Sequence, residues 1–201
     1  MDAFTYPLVE SFHSVQGEGT WMGTSAFFLR LGGCDVHCPW CDTKESWSAT
    51  KHPQVSVGKM VTQIQLAKPA IVIITGGEPL MHNLLPLTRG IKEKVGIPIH
   101  LETSGAHPLS AEFNWIALSP KTFRPPHPEI YTQAHELKVV VKDAGDLDWA
   151  LAQAKLVPAQ IPKYLQPEWH SPDAPSLVFD FILAHPDWRL SLQTHKLLGV
   201  R

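Results

Sequence analysis

Short apolar runs alternate along the chain with segments whose apolar residues recur at helical spacing. Residues 71–74, Ile-Val-Ile-Ile, are apolar on both faces, which is typical of a strand buried on both sides in a parallel sheet. We predict strands over residues 26–31, 70–75, 98–103, 115–119, 137–142, 164–166 and 189–193.

Four apolar stripes with helical spacing lie between these runs, and Asp146 is a plausible N-terminal cap of the third. Strand and helix therefore alternate, which predicts an α/β fold with a mainly parallel sheet. The stripes are Val57, Met60, Val61 and Ile64; Leu84, Leu87, Ile91 and Val95; Leu147, Ala150, Leu151 and Ala154; and Val178, Phe181, Ile182 and His185.

The length limits the kind of sheet. A complete (β/α)8 barrel takes about 250 residues, and this chain has 201. The segment between residues 103 and 115 is also too short for a full crossover helix. The expected architecture is an incomplete, shortened TIM-like barrel, built as a single domain over residues 1–201.

Composition narrows the class of protein. The chain is 44% hydrophobic and 18% charged with a formal net charge of −2, which excludes a disordered chain and does not indicate nucleic-acid binding. The longest purely apolar stretch, residues 70–74, is far shorter than the roughly 20 residues that span a bilayer. The chain starts without a basic and apolar leader, so we expect no membrane partner and a cytoplasmic location.

Polar motifs follow four of the predicted strands. They are Gly76-Gly-Glu-Pro79, Ser104-Gly105, Ser119-Pro-Lys121 and Gln166-Pro167. In parallel α/β sheets, the loops after the carboxyl ends of the strands carry the chemistry. The four motifs therefore predict one shared site.

All three cysteines lie within eight residues, as Cys34-x3-Cys38-x2-Cys41. A zinc site needs a fourth ligand, which His37 or His52 would have to supply. A redox dithiol of Cys38 and Cys41 leaves Cys34 without a role. An iron–sulfur cubane takes thiolate ligands, and three of them leave one iron open to a cofactor or substrate.

The spacing Cys34-x3-Cys38-x-Trp40-Cys41 resembles the cluster motif of radical S-adenosylmethionine (SAM) enzymes, and Gly76-Gly-Glu-Pro79 resembles their motif for the SAM amino group. From about residue 8 onwards, the chain resembles the 7-carboxy-7-deazaguanine synthase family. The motifs that carry this resemblance are Phe12-x-Ser14-Val-Gln-Gly-Glu-Gly19, Arg30-Leu-Gly-Gly-Cys34, Cys41-Asp-Thr43, Thr75-Gly-Gly-Glu-Pro79, Glu102-Thr-Ser-Gly105, Ser119-Pro-Lys121 and Leu192-Gln-Thr-His-Lys196.

The resemblance implies a carbon–nitrogen lyase with a [4Fe-4S] cluster on Cys34, Cys38 and Cys41. The open iron would chelate SAM, and an external flavodoxin or ferredoxin would supply one electron. The resulting 5′-deoxyadenosyl radical would take hydrogen from C6 of 6-carboxy-5,6,7,8-tetrahydropterin. Ring contraction and loss of ammonia would give 7-carboxy-7-deazaguanine, on the path to queuosine.

The resemblance also implies roles for individual residues. Thr43 would bind Mg²⁺, and Arg30 would hold the substrate carboxylate, although an internal salt bridge is the alternative for a charge inside a strand. The backbone carboxylate of Arg201 would contact the pterin, steadied by His195, where a frayed tail is the alternative. The other substrate contacts would be Val15, Gln16, Gly17 and Thr75, and the SAM contacts Gly77, Ser104, Ser119, Pro120, Lys121 and Gln166.

Two other functions stay open on sequence alone. A small radical SAM activase that installs a glycyl radical on a partner protein would need the cysteines and Gly76-Gly-Glu-Pro79, but not Arg30 or Thr43. A non-catalytic iron–sulfur or zinc module would need only the cysteines. The shortened barrel and the seven tryptophans also predict an apolar surface that joins two copies in a homodimer.

Overall fold

A computed structural model describes residues 4–201, and its strands form one open sheet. The sheet order is β3-β1-β2-β4-β5-β6-β7-β8-β9, so β3 and β9 are the edges. From β2 through β4 to β9 every pair is parallel, whereas β1 pairs antiparallel with β2 and β3. The strands are β1 Thr5–Val15, β2 Ser25–Leu31, β3 Gln54–Ser56, β4 Ile71–Gly76, β5 Ile99–Thr103, β6 Trp115–Leu118, β7 Glu136–Val141, β8 Lys163–Pro167 and β9 Trp188–Leu190.

The helices begin at recognisable capping residues. The Ser56 side chain accepts from the Lys59 amide at the start of α1. Asp143 and Asp146 form a reciprocal capping box at α4, so Asp146 is the third helical residue rather than the N-cap we predicted. No helix within residues 4–201 is long and apolar enough to cross a membrane. The helices are α1 Val57–Ala67, α2 Leu85–Lys94, α3 Pro128–Gln133, α4 Ala144–Ala154, α5 Ala174–Ala184 and α6 Thr194–Leu198.

The sheet has an apolar face under the helices and a concave face that becomes polar towards the strand ends. On β2, Phe27 and Leu29 belong to the main core, whereas Phe28 belongs to a small separate cluster on the concave face. Side chains alternate along a strand, so Arg30 shares the concave face with Phe28. The sequence pattern thus places a charge in the interior of the incomplete barrel.

The expected incomplete barrel is confirmed, and β5 runs to β6 without a crossover helix. Several local predictions are wrong. The strands β1 and β3 and the helix α3 were not predicted, because β1 carries polar residues such as Ser11 and Ser14 among its apolar ones. Residues 16–18 join β1 to β2 instead of preceding the first strand. The last predicted strand ends at Leu190, and residues 194–198 form helix α6.

His100 of β5 gives the fold a specific pH dependence. Its ring is buried on the concave face, 4.9 Å from the Trp21 ring. Burial, assisted by His135, lowers the pKa of His100 to about 4 from 6.5. The unfolded chain therefore binds this proton first, and the folded state loses stability as the pH falls from about 6.5 towards 4. The full loss amounts to about 3 kcal/mol.

We expect His100→Phe to flatten the dependence of unfolding free energy on pH between 4 and 6.5. Urea unfolding at a series of pH values measures this. His127→Phe, at an exposed position, is the matched control and keeps the wild-type slope. An unchanged slope in His100→Phe would contradict the assignment of this proton to His100.

Candidate active site

A single cavity opens where the parallel strands end, and most of the predicted site residues line it. Cys34, Gly77, Ser104 and Pro120 lie outside its lining. The predicted residues that do line it are Val15, Gln16, Gly17, Arg30, Cys38, Cys41, Thr43, Thr75, Ser119, Lys121, Gln166 and Arg201. The structure therefore brings the three predicted subsites, for cluster, cofactor and substrate, to one place.

The cysteine loop is supported from behind by the Gly76-Gly-Glu-Pro79 turn after β4. The Gly77 amide donates to Leu31 O (2.9 Å), and the Glu78 amide donates to Gly33 O (2.8 Å). A Cβ atom on Gly77 would lie 2.8 Å from Cys34 Cβ, so only glycine permits this close approach. Gly77 contacts the base of the cysteine loop instead of lining the cavity.

The three free thiols suit a cluster. Cys38 and Cys41 face the cavity, Cys34 is buried behind them, and the Cys41 amide donates to Cys38 O (3.0 Å). Burial raises the pKa of Cys34 and of Cys38, so metal binding has to displace their protons. In residues 4–201 no three His, Cys, Asp or Glu side chains converge on one metal ion. A cubane instead puts each thiolate on its own iron, and three neighbouring thiolates provide for that.

Glu78 connects two of the polar turns. Its buried carboxylate accepts from the Thr103 hydroxyl (2.6 Å), the Ser104 amide (2.8 Å) and the Leu80 amide (3.0 Å), and also from the Ser104 hydroxyl. Ser104 is therefore a partner of Glu78 in this structure. The turn after β5 is fixed to the turn after β4, below the cysteine loop.

Lys121 provides a positive charge beside the cysteines. Its Nζ donates to both the carbonyl and the hydroxyl oxygen of Ser119 (2.6 Å each). Burial lowers the pKa of Lys121, and the nearby Cys38 thiol opposes that effect. A buried ammonium group with only neutral hydrogen-bond partners is suited to receive an anionic group such as a carboxylate.

Arg30 and Arg201 converge on Glu10, a residue that our sequence reasoning did not select. Arg30 Nε donates to Glu10 Oε1 (2.8 Å), and Arg201 Nη1 donates to Glu10 Oε2 (2.9 Å). The Ser14 hydroxyl also donates to the main-chain oxygen of Arg201. The salt-bridge alternative for Arg30 is thus realised through Nε. Within the described chain its two Nη groups make no hydrogen bond, and the side chain lines the cavity beside Thr75.

The segment after β9 covers one side of the cavity. Thr194 donates to Gly17 O through its amide (3.0 Å) and through its hydroxyl (2.9 Å). A Cβ atom on Gly17 would lie 2.9 Å from His195 Cγ, so His195 packs directly on this glycine. Lys196 reaches Asp42 Oδ2 (2.8 Å) and lies over the Trp169 ring, 5.1 Å from its centroid.

Thr43 lies next to a carboxylate that we had not singled out. Its hydroxyl donates to Asp42 Oδ1 (3.2 Å), and both residues line the cavity. Burial on its own would raise the pKa of Asp42, but Lys196 and Thr43 lower it. A hydroxyl and an ionised carboxylate are both hard oxygen donors, the kind that Mg²⁺ prefers.

The sequence analysis gave no individual role to several further polar residues of the cavity. Glu18, Glu102 and Gln193 lie inside the quoted motifs, whereas Lys138 lies outside them. Gln16 donates to Glu102 Oε1 (2.8 Å) and accepts from the Glu18 amide (3.0 Å), so its amide group is largely used within the protein. Gln166 likewise donates to Glu18 (3.2 Å) and accepts from Ser191 (3.0 Å). The alternation along β7 could have identified Lys138, because Leu137 and Val139 point into the opposite, apolar core.

Comparison with known proteins gives one consistent family. The model of the radical SAM superfamily matches residues 29–144. A 7-carboxy-7-deazaguanine synthase of Synechocystis sp. is 54% identical, covering 98% of this chain and 94% of that protein. The synthase of Escherichia coli K12 is 34% identical, covering 97% and 99%. The crystal structure of QueE from Escherichia coli aligns with a TM-score of 0.81 at 31% identity, covering 94% and 93% of the two chains. The chain belongs to the radical SAM superfamily and, within it, to the 7-carboxy-7-deazaguanine synthases.

Proposed function

We propose that this chain converts 6-carboxy-5,6,7,8-tetrahydropterin into 7-carboxy-7-deazaguanine with loss of ammonia, in queuosine and deazapurine biosynthesis. The observation that supports this most directly is the cavity itself. Cys38, Cys41, Lys121 and Arg30 all line this one space. An activase or a metal-binding module would not need Arg30 there, and the relatives that span the chain are synthases.

Cys34, Cys38 and Cys41 hold a [4Fe-4S] cluster in this proposal, and Lys121 and Ser119 bind SAM. When bound, the cluster and SAM supply hydrogen-atom abstraction. Lys121 suits the SAM carboxylate. Of the remaining proposed SAM contacts, Gln166 lines the cavity, Gly77 supports the cysteine loop, Ser104 is bonded to Glu78, and Pro120 lies between Ser119 and Lys121 in the chain. The residues orient the cofactor and exclude water; the cofactor carries the difficult step.

The proposed substrate contacts line the same cavity as Lys121. Arg30 offers two Nη donors for the 6-carboxylate, which is the bidentate arrangement that arginine favours, and Thr75 lies beside it on β4. Gln16, between Val15 and Gly17, lies at the pterin edge, and Arg201 closes this side. Glu102 keeps one carboxylate oxygen without a partner in the described part of the chain, and that oxygen suits the pterin amino group.

We propose that Thr43 carries Mg²⁺, with the rest of the coordination shell coming from substrate and water. Adding Mg²⁺ to metal-depleted enzyme is then expected to raise turnover. Thr43→Ala should reduce this response by about tenfold or more, because removing a first ligand typically weakens metal binding at least as much as removing an outer partner does. Thr50→Ala, on an exposed hydroxyl of the same segment, is the control. A wild type that turns over equally without Mg²⁺ would contradict the assignment.

The experiment that tests the proposed function is anaerobic reconstitution of the cluster followed by incubation with SAM, a reductant and the carboxylated tetrahydropterin. We expect a product with the mass of 7-carboxy-7-deazaguanine and release of ammonia. Consumption of SAM without a deazapurine product would remove the proposed substrate, while leaving the radical SAM assignment intact.

We propose one domain over residues 1–201, of which Met1–Ala3 lie outside the described residues, and a cytoplasmic location with flavodoxin or ferredoxin as electron donor. All the described strands join one sheet, which supports a single domain. The free thiols fit a reducing compartment.

We also propose a homodimer, but on different residues from those expected. Of the seven tryptophans only Trp169 is strongly exposed, and it lies at the cavity. The exposed apolar side chains near the β9 edge are instead Phe179 and Leu183 of α5 and Leu190 of β9. Light scattering should show a dimer for the wild type and a monomer for Leu183→Glu. A wild type that is monomeric at micromolar concentration would contradict this proposal.

A further inference from the structure

Lys138 places a buried positive charge on the floor of the cavity. Only 9% of its side chain is exposed, yet it lies in the middle of β7 and lines the cavity. Its Nζ forms an ion pair with Glu18, whose side chain is 14% exposed. Burial alone would lower the pKa of Lys138, but the charges of Glu18, Glu102 and Glu136 outweigh burial and raise it. The ammonium group is therefore charged at every pH at which the enzyme works.

Glu18 is the point where several elements meet. Besides Lys138 from β7, its carboxylate accepts from Gln166 of β8 (3.2 Å) and from Gln193, just before α6 (2.9 Å). Its own amide donates to the side chain of Gln16 (3.0 Å), one of the proposed substrate contacts. Glu18 thus helps to fix the positions of two segments: the substrate-facing loop between β1 and β2, and the segment after β9 that covers the cavity.

A second side chain of β7 holds the same loop. Glu136 lies two residues before Lys138, on the same face of the strand, and accepts from the Thr20 amide (3.0 Å). Two residues of β7 therefore hold the loop: Lys138 through Glu18 and Glu136 through Thr20. Of these two contacts, the one between Lys138 and Glu18 lies at the cavity, and Glu18 directly follows Gln16 and Gly17 in the chain.

The ion pair is a poor choice for stability alone. Moving two charges out of water costs several kcal/mol per ion, and well-packed apolar residues often stabilise a fold as well or better. A charge pair fixes one geometry, however, because a carboxylate with three donors has little freedom to rotate. Fixed geometry is what a loop that reads a flat heterocycle requires.

We propose that Lys138 is a positioning residue for substrate recognition: acting through Glu18, it fixes residues 15–17, at the end of β1 and the start of the following loop, against the covering segment so that the pterin meets a preformed edge. This inference rests on the proposed function and adds to it the residue that orders the substrate site. Lys138 itself makes no contact with the substrate.

The test is a double-mutant cycle of Lys138→Met, Glu18→Gln and the double variant, read out by binding of the oxidised analogue 6-carboxypterin through its fluorescence. Lys138→Met should weaken binding by about ten- to a hundredfold, since it leaves a buried carboxylate without its counter-charge. The double variant should bind no more weakly than Lys138→Met, because the two residues act as one unit. Lys138→Arg should recover most of the affinity. Lys163→Met, which breaks the ion pair with the exposed Asp187 outside the cavity lining, is the matched control.

The pH dependence of analogue binding distinguishes a positioning role of Lys138 from a purely structural role in folding. Around Glu18 the charged and titratable groups are Lys138, Glu136 and Glu102 from the sheet, His195 from α6 and Lys121 from the turn after β6. Burial alone would raise the pKa of Glu18, and Lys138 lowers it. Lys138→Met should therefore move the titration of Glu18 in the binding curve to higher pH, and Glu18→Gln removes this titration in the double variant.

Three outcomes would overturn the inference: Lys138→Met that is destabilised but binds like the wild type, effects of the two substitutions that add, or a pH profile unchanged from the wild type. If Lys138→Met fails to fold, Glu18→Gln alone decides: it should weaken analogue binding, and wild-type binding in it would contradict the proposal. A wild type that does not bind the analogue at all would instead count against the proposed function.

Discussion

Replacing Cys38 with alanine is expected to abolish the iron–sulfur cluster and SAM cleavage together. Cys38 faces the cavity beside Cys41 and Lys121, and the described chain has no spare thiol to take its place. A cubane held by two thiolates would have two irons without a protein ligand and would be exposed to solvent. The expected change is the loss of the brown absorbance and of bound iron, with formation of 5′-deoxyadenosine falling to background.

The control for this substitution is Ser48→Ala, seven residues after Cys41. Among residues 4–201, the Ser48 hydroxyl forms a hydrogen bond with the Thr50 hydroxyl alone (3.2 Å). It should keep full iron and activity. The fold should survive in Cys38→Ala, because the thiol makes no hydrogen bond that holds an element of the sheet. A Cys38→Ala protein with a full complement of iron would show that the cluster assignment is wrong.

Arg30→Ala should strongly impair pterin turnover and leave slow, uncoupled SAM cleavage. The guanidinium is assigned to the substrate carboxylate, and Lys121 and the cysteines at the SAM end are untouched. Losing one side of a charge-assisted pair of this kind costs about 2–5 kcal/mol, so the Michaelis constant for the pterin should rise by at least about tenfold. Steady-state kinetics of the deazapurine product and of 5′-deoxyadenosine measure the two effects separately.

Arg89→Ala is the matched control, since Arg89 pairs with Glu93 on the exposed surface of α2 and lies outside the cavity. Arg30→Lys restores the charge without the bidentate geometry and should recover only part of the activity. Removing Arg30 leaves Glu10 its partner Arg201, so the fold should tolerate the change. Loss of iron in Arg30→Ala equal to the loss of turnover would assign Arg30 a structural role.

Features that depend on residues close together in the chain could be predicted from the sequence. The buried run 71–74 predicted a strand of a parallel sheet, and the Gly76-Gly-Glu-Pro79 motif after it predicted a polar turn at a shared site. The structure has the strand as β4 and places the turn against the cysteine loop. The short link between β5 and β6 correctly predicted an incomplete barrel. In each case a local segment carried the whole signal.

Features that depend on contacts between residues far apart in the chain could not be predicted from the sequence. β1 mixes polar and apolar residues without a regular alternation, and nothing in the local sequence indicates that Glu10 contacts Arg30 and Arg201. The run 189–193 has the composition of a strand, but Ser191 and Gln193 leave the sheet to bind Gln166 and Glu18. Tertiary hydrogen bonds outweighed strand propensity there.

The buried charged residues of β7, Glu136 and Lys138, could be predicted only in part. Lys138 lies inside the predicted strand 137–142 and Glu136 directly before it, and the period of two assigns both to one face. The function of Lys138 could not be predicted, because its partner Glu18 lies 120 residues away in the chain. A charge inside a predicted strand is thus a usable sign of a polar interior, even where its partner is unknown.

The most direct test of the whole account follows deuterium from C6 of the substrate. If one cavity holds SAM between the cysteines and Lys121 and holds the pterin against Arg30, hydrogen must pass between the two molecules. With 6-carboxytetrahydropterin deuterated at C6, mass spectrometry should find deuterium at the 5′-carbon of the recovered adenosyl group, alongside the deazapurine product. Formation of the product with no deuterium in the adenosyl group would contradict the account.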